Sequence, residues 1–366
     1  MKIAQVAPLY ESVPPEQYGG TERVVSYLTE ELAELKHEVT LFASGDSITS
    51  AELVPCCPRS LRTDPNRIDP LVHHFLMLEE VFKRTSQFDL VHFHIDYLHF
   101  PLSRRSRISQ LTTLHGRLDL PDLAPLYRRF RDMPLVSISD AQRRPIPWAQ
   151  WMGTVYHGLP EDLFKFHEAR GDYLAFLGRV SPEKRVDRAI EIAKRTGMPL
   201  KIAAKVDKAD RDYFENVIKP MLDSSVVQFI GEIGGKEKEE FLGKAYALLF
   251  PIDWPEPFGL VMIEAMACGA PVIAWTHGSV PEIMEDGAGF VVDSVEEAAR
   301  AVERLASFDR RRCRDVFEKR FTAARMARDY VNIYERLPEK GPADELSSPL
   351  CGEIHSWRPS FHEVST

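Results

Sequence analysis

The sequence is poor in cysteine. Five occur in 366 residues, Cys56, Cys57, Cys268, Cys313 and Cys351, an odd number with no Cys-x-x-Cys pair. That excludes a disulfide framework or a thiolate zinc site as the organising principle, and it makes a reducing cytoplasm the expected location. No run reaches the roughly 18 apolar residues of a membrane span. The opening Met1-Lys2-Ile3-Ala4-Gln5-Val6-Ala7-Pro8 is too short for the apolar part of a signal peptide. Positive charge is in deficit too: 46 Lys and Arg face 55 Asp and Glu, a net charge of -9, so no overall basic field exists to hold nucleic acid. The 20 glycines and 26 prolines follow no period, which removes collagen-like and low-complexity readings. Nor does a Gly-x-Gly-x-x-Gly follow the first apolar run, which disfavours a nicotinamide dehydrogenase; Gly287-Ala288-Gly289 lies in another context.

What is present is an alternation of short apolar runs with amphipathic stretches, in a chain long enough for about two domains. Ile3 to Ala7, Val39 to Ala43, Leu90 to Phe93, Leu111 to Leu114, Leu135 to Ile138 and Thr154 to Tyr156 read as strands buried on both faces. Val24, Val25, Leu28, Leu32 and Leu35 recur at helical spacing between the first two. The pattern stops near His157-Gly158-Leu159-Pro160 and restarts at Tyr173, with further strands expected at Leu200 to Ala203, Val226 to Ile230, Ala247 to Phe250, Val272 to Ala274 and Phe290 to Val292. The fold class expected is therefore α/β, two Rossmann-like domains facing each other across a cleft: 1–160, 171–318, a closing helix over 319–337, and a disordered tail over 338–366. Met326, Tyr330, Val331 and Tyr334 set the face of the closing helix, but spacing alone does not say what it packs on.

The most informative segment runs from Trp254 to Ala274. A strand ending near Pro251 leads through a loop stiffened by Pro255 and Pro257 into a helix expected to open at about Phe258, and its free N–H groups make an anion site. Glu256 precedes that helix and Glu264 lies two turns inside it. Carboxylates beside a diphosphate suit hydroxyl recognition, so a sugar on one side and a ribose on the other fit the pattern.

Glu256 and Glu264, separated by seven residues and followed by Ala-Met-Ala-Cys-Gly-Ala-Pro-Val-Ile-Ala, resemble the E-x7-E signature of the retaining glycosyltransferases of family 4, which have the two-domain GT-B fold. Further segments similar to that family occur in order: Gly19-Gly20-Thr21-Glu22, Asp89-Leu90-Val91-His92, Thr113-Leu114-His115-Gly116, Gly178-Arg179-Val180-Ser181-Pro182-Glu183-Lys184 and Gly278-Ser279-Val280-Pro281-Glu282. The resemblance implies that Glu256 holds donor-sugar hydroxyls, Glu264 the nucleotide ribose, and the backbone N–H groups of Phe258, Gly259 and Leu260 the diphosphate. It also implies that Arg179 and Lys184 stabilise the leaving diphosphate, that Gly19 and Gly20 lie over the phosphates, and that His115 stands near the reacting sugar. Charge that grows on phosphate oxygens as the sugar bond breaks would then be opposed by two cations and a helix N-terminus, with no metal and no cofactor required. Lys205, at the end of another expected strand, is a further phosphate candidate.

Some features have plainer accounts. His92, His94, Asp96 and His99 superficially suggest metal spacing, yet core packing and local hydrogen bonding explain them better. From His99 to Gln150, nine arginines face four acids, a balance that suits an anionic acceptor or a membrane surface, although a solvated face is the simpler reading. Peripheral membrane contact is left open. The expected activity is retaining transfer of a sugar, UDP-glucose being the preferred donor, to an unidentified small-molecule or glycan acceptor. The segments Phe250 to Pro257 and Ala203 to Asp207 look closest to a branch that acts on small molecules and antibiotic oligosaccharides. The alternatives are a nucleotide-sugar epimerase or a glycogen-synthase-like polymerising transferase of the same fold, and a protein that binds a nucleotide sugar without turnover.

Overall fold

The computed structural model describes residues 1–16, 19–222 and 225–337; the tail expected over 338–366 lies outside them. Two parallel sheets are formed. The first contains β1 (Lys2–Val6), β2 (Glu38–Ser44), β3 (Glu52–Cys57), β4 (Leu90–Phe93), β5 (Ser109–Thr113), β6 (Leu135–Ser137) and β7 (Trp151–Thr154) in the order β3-β2-β1-β4-β5-β6-β7. The second contains β8 (Tyr173–Arg179), β9 (Leu200–Lys205), β10 (Val227–Gly231), β11 (Ala245–Phe250), β12 (Val272–Trp275) and β13 (Gly289–Val292) in the order β10-β9-β8-β11-β12-β13. Each is a Rossmann-like doubly wound sheet whose order reverses beside its first strand, and that reversal is where such sheets take ligands.

Sequence dictates these elements by burial. Ile3, Ala4, Gln5 and Val6 are wholly enclosed, because parallel strands carry helices on both faces. The Gly20–Glu34 helix supplies Val24, Val25, Leu28 and Leu32 to the core, while the Val186–Thr196 helix supplies Val186, Ala189, Ile190 and Ala193 and ends at Gly197 with φ 70°.

Two strands differ from the sequence expectation. β3 is an additional edge strand: Pro55, exposed Glu52 and the vicinal Cys56 and Cys57 obscure its alternation, and an edge is where a strand tolerates proline. β7 lies at Trp151–Thr154 rather than Thr154–Tyr156, and all four of its residues are only partly buried, so no apolar run marks it.

The connection between the sheets is held by buried arginines. Arg314 donates to the carbonyls of Glu161, Phe164 and Ala267, and Arg310 to those of His167, Gly243 and Ala245, which satisfies both guanidinium groups away from water. The chain then returns. Leu159 N–H donates to the Phe321 carbonyl at 2.9 Å and Ala323 N–H to the Leu159 carbonyl at 2.8 Å. Gly158 permits this approach, since a Cβ there would stand 2.2 Å from the Thr322 carbonyl oxygen. The Ala323–Tyr334 helix, capped by Thr322, therefore packs on the first sheet and the Gly20–Glu34 helix, which supplies the partner surface that its spacing left open.

Candidate functional site

A cavity of about 710 Å³ lies between the two sheets, lined from both sides by the ends of their strands and the loops that follow. On the second side, the loop after β11 runs through Trp254 and Glu256 to Gly259, whose φ of 83° and close neighbours Met262 and Phe250 disfavour a side chain. The helix begins at Leu260 rather than at Phe258, because the left-handed Gly259 is its cap. Phe258 and Gly259 thus line the cavity from the loop, and Leu260 from the first helical turn.

Glu256 and Glu264 both reach the cavity, each with a lysine. Lys184 Nζ donates to Glu256 Oε2, which also accepts from Trp254 Nε1 at 3.1 Å, and Lys184 lies 4.9 Å from the centre of the Trp254 ring. Glu264, 4% exposed, accepts from Lys238 Nζ at 2.8 Å. The backbone at Glu256 is fixed by the neighbouring loop. Ser279 N–H donates to the Glu256 carbonyl, and a Cβ on Gly278, where φ is 57°, would stand 2.3 Å from that oxygen.

Arg179 ends β8 and pairs with Glu183 at 2.7 Å, with Asp207 at 3.6 Å and with Asp210 at 4.0 Å; Lys205 ends β9 and lies 3.3 Å from Asp207. Both line the cavity. The expected phosphate cations are thus brought together, each within a web of carboxylates. Asp210-Arg211-Asp212 spells an Asp-x-Asp triplet, with Asp210 turned to Arg179; no group of three side chains able to hold a metal ion occurs among the described residues.

The first sheet contributes Gly19, Gly20 and His115. Gly19 has φ 156° and Gly20 opens its helix against the second domain, since a Cβ on Gly20 would meet Leu260 Cδ1 at 3.5 Å. Two helix N-termini therefore face one another across the cavity, a concentration of positive potential suited to a diphosphate. His115 follows β5 and bonds through Nε2 to His94 Nδ1 at 2.9 Å. Burial drives its pKa down to about 3, so the ring is neutral at pH 7. His92, His94 and His99 have all six ring nitrogens in hydrogen bonds within the protein, the local bonding expected of them.

Several residues in and around the cavity have roles that the sequence did not signal. Lys238 sits on the Gly235–Gly243 helix, whose polar sequence gives no signal. Glu22 was seen only as part of a motif, yet it is 6% exposed and burial pushes its carboxyl up to about 7. Glu282 closes the domains together, accepting from the backbone N–H groups of Asp140 and Ala141, both at 2.9 Å, and from the Tyr156 hydroxyl. Arg117 reaches over the Trp254 ring at 5.6 Å, a second contact across the cleft. The arginines of the 99–150 stretch are partly engaged: Arg104 with Asp132, Arg128 over Trp148, and Arg143 with Ser137 and Trp151. Among the described residues no helix is long and apolar enough to cross a membrane.

Comparison with known proteins matches this architecture in two parts. Residues 18–152 match the family described as Glycosyltransferase Family 4, and residues 161–319 that described as Glycosyl transferases group 1. An uncharacterized glycosyltransferase of Methanocaldococcus jannaschii is 24% identical over 92% of this chain and 98% of its own. A protein of the cps region of Klebsiella pneumoniae is 28% identical over 44% of this chain, a match that spans only 46% of that relative. Among solved structures, a glycosyltransferase involved in avilamycin A biosynthesis superposes with a TM-score of 0.71 at 25% identity, over 92% of this chain and 97% of that one. The Anabaena protein HepE, solved with UDP and glucose, superposes with a TM-score of 0.70 over 92% of this chain and all of its own; at 18% identity that likeness is one of fold.

Proposed function

This chain belongs to the glycosyltransferases of the two-domain GT-B type, and from that premise we propose that it transfers a sugar from a nucleotide diphosphate sugar to an acceptor hydroxyl with retention of configuration. The observation that carries the reading is the convergence on one cavity of Glu256, Glu264, the Leu260 helix start, Arg179, Lys184 and Lys205, with Gly19, Gly20 and His115 opposite. In this reading residues 1–160 form the acceptor side and 171–318 the donor side.

The roles follow from chemistry. Glu264 accepts from ribose hydroxyls and Glu256 from hydroxyls of the transferred sugar, while the N–H groups around Phe258, Gly259 and Leu260 take the diphosphate. Arg179, Lys184 and Lys205 oppose charge as it builds on the phosphate oxygens, which favours the transition state over the ground state. The acceptor oxygen bonds to the anomeric carbon as the bond to phosphate breaks on the same face, and the hydroxyl proton passes to the departing phosphate oxygen. Nothing in that sequence requires a metal. UDP-glucose is the donor we favour, supported by HepE, which binds UDP and glucose in the same fold. A small molecule or glycan is the acceptor we favour, supported by the avilamycin glycosyltransferase.

The test is thermal stabilisation by UDP-, GDP- and ADP-sugars and by the free nucleotides, with and without magnesium. A ligand at about 100 times its Kd adds roughly 2.7 kcal/mol, a shift of several degrees. Stabilisation by one nucleotide class without magnesium, abolished by Glu264→Ala, is the expected result. No stabilisation by any of them overturns the reading.

A further inference from the structure

Behind the cavity lies a buried chain of polar groups that the proposed transfer does not use. It starts at His115 and runs through His94 to Gln5, a residue of β1 with no exposed surface. His94 Nε2 lies 2.8 Å from Gln5 Oε1, and Gln5 Nε2 lies 3.3 Å from the Tyr334 hydroxyl. Tyr334 in turn lies 2.8 Å from His92 Nδ1, and His92 Nε2 lies 2.7 Å from Thr113 Oγ1. Tyr334 belongs to the helix at the far end of the described chain, 329 positions from Gln5.

Burial pushes the pKa of His92 and His94 well below the usual range and that of His115 to about 3, so every ring carries one N–H and one lone pair. The proton positions can then be counted off. An amide oxygen only accepts, so Gln5 Oε1 requires the proton of His94 on Nε2. His94 Nδ1 is therefore a lone pair, and the short contact to His115 requires that His115 Nε2 carry its proton. His115 Nδ1 is left as a lone pair, and it is a buried nitrogen with no hydrogen-bond partner among the described residues. On the other arm Gln5 Nε2 donates to the Tyr334 hydroxyl, which also meets His92 Nδ1, and His92 Nε2 meets the Thr113 hydroxyl; a hydroxyl gives or accepts a proton, so these contacts satisfy the amide without selecting its orientation. Were the Gln5 amide turned over, every role along the chain would reverse and His115 would present an N–H at Nδ1.

We propose that Gln5 and His94 are positioning residues that hold His115 in its Nε2–H tautomer, so that this ring meets the transferred sugar as an acceptor of a hydroxyl proton. The sugar in that statement rests on the proposed function; the tautomer does not. An amide buried in the first sheet thus decides how a histidine at the cavity reads its ligand, in the way outer partners set histidine tautomers at other sites.

Long-range ¹H–¹⁵N correlation spectra of the full chain labelled at histidine test this directly. At pH 7.5 the expected result for His115 is an unprotonated Nδ1 and a protonated Nε2; a protonated Nδ1 overturns the proposal. In Gln5→Met the accepting amide oxygen is gone, and His115 should shift toward a mixture of tautomers; a spectrum identical to wild type removes the positioning role. The extra thermal stabilisation that UDP-glucose gives over UDP should also fall in Gln5→Met while the UDP effect stays, and an unchanged sugar increment counts against it. If no nucleotide stabilises the wild type, the proposed function fails while the wild-type spectrum still decides the tautomer.

Discussion

Lys238 Nζ stands 2.8 Å from a carboxylate oxygen of Glu264, the two side chains 17% and 5% exposed, so the polar Gly235–Gly243 helix supplies a cationic partner to the second motif glutamate. Removing Lys238 leaves an acid in an enclosed site. Lys238→Met should therefore lower stability by about 1–3 kcal/mol in urea unfolding. It should weaken nucleotide binding as well, whereas Lys219→Met, on an exposed pair, should do neither.

Glu256 and Lys184 touch each other as well as the cavity. Glu256→Ala and Lys184→Ala should each raise the barrier to transfer by about 2–4 kcal/mol with folding intact, the usual scale for losing one electrostatic contact. The double variant should lose less than the sum, because the two act through one another. Steady-state kinetics on an identified acceptor, with circular dichroism for the fold, checks this. Wild-type rates in both single variants would remove the site assignment.

Gly278→Ala should mimic Glu256→Ala in kinetics. The new Cβ would lie 2.3 Å from the Glu256 carbonyl oxygen, on a backbone already at φ 57°, and neither backbone group can give way without moving Glu256. A destabilisation of about 1–3 kcal/mol should accompany the lost activity. Full activity would show that the loop position does not govern Glu256.

Stability should depend on pH in two opposed ways. Glu22 is raised to about 7 by burial, so its stabilising contribution is complete below about 4.5 and disappears as pH rises through 7. Glu22→Gln should therefore gain roughly 1–3 kcal/mol on wild type at pH 8 and nothing at pH 4.5, as read by denaturant unfolding. His92, His94, His115 and His157 are lowered, so their contribution is complete above 6.5 and is lost as pH falls below it. Four groups outweigh one, and wild-type stability should fall steadily from pH 6.5 to 4.5.

Much of this was legible in the chain. Contiguous segments carry their own geometry: Glu256 and Glu264 bracket a helix start whatever the rest of the protein does, and Arg179 and Lys205 close strands whose apolar runs are plain. What escaped is what depends on distant packing. The helical spacing of Tyr330 and Tyr334 gives them one face, but only the fold places that face on His92 and Thr113. Lys238 and Glu282 act through partners 26 and 142 positions away, and no local pattern encodes such pairs. β3 was hidden by an edge position that tolerates Pro55, and the helix at Leu260 starts late because a single glycine bends left-handed.

The chain crosses between the two sheets twice, outward after β7 and back at Thr322, and the crossings lie side by side, joined by the hydrogen bonds of Leu159 to Phe321 and Ala323. Two straps fastened at one point make a door rather than a tether. A fastening of that kind should favour a swing about the line of the straps over sliding or twisting, which would shear those bonds. In such a swing the two sheets would part to admit a ligand, and closing would return Glu282 to the backbone of Asp140 and Ala141, where it stands in this structure.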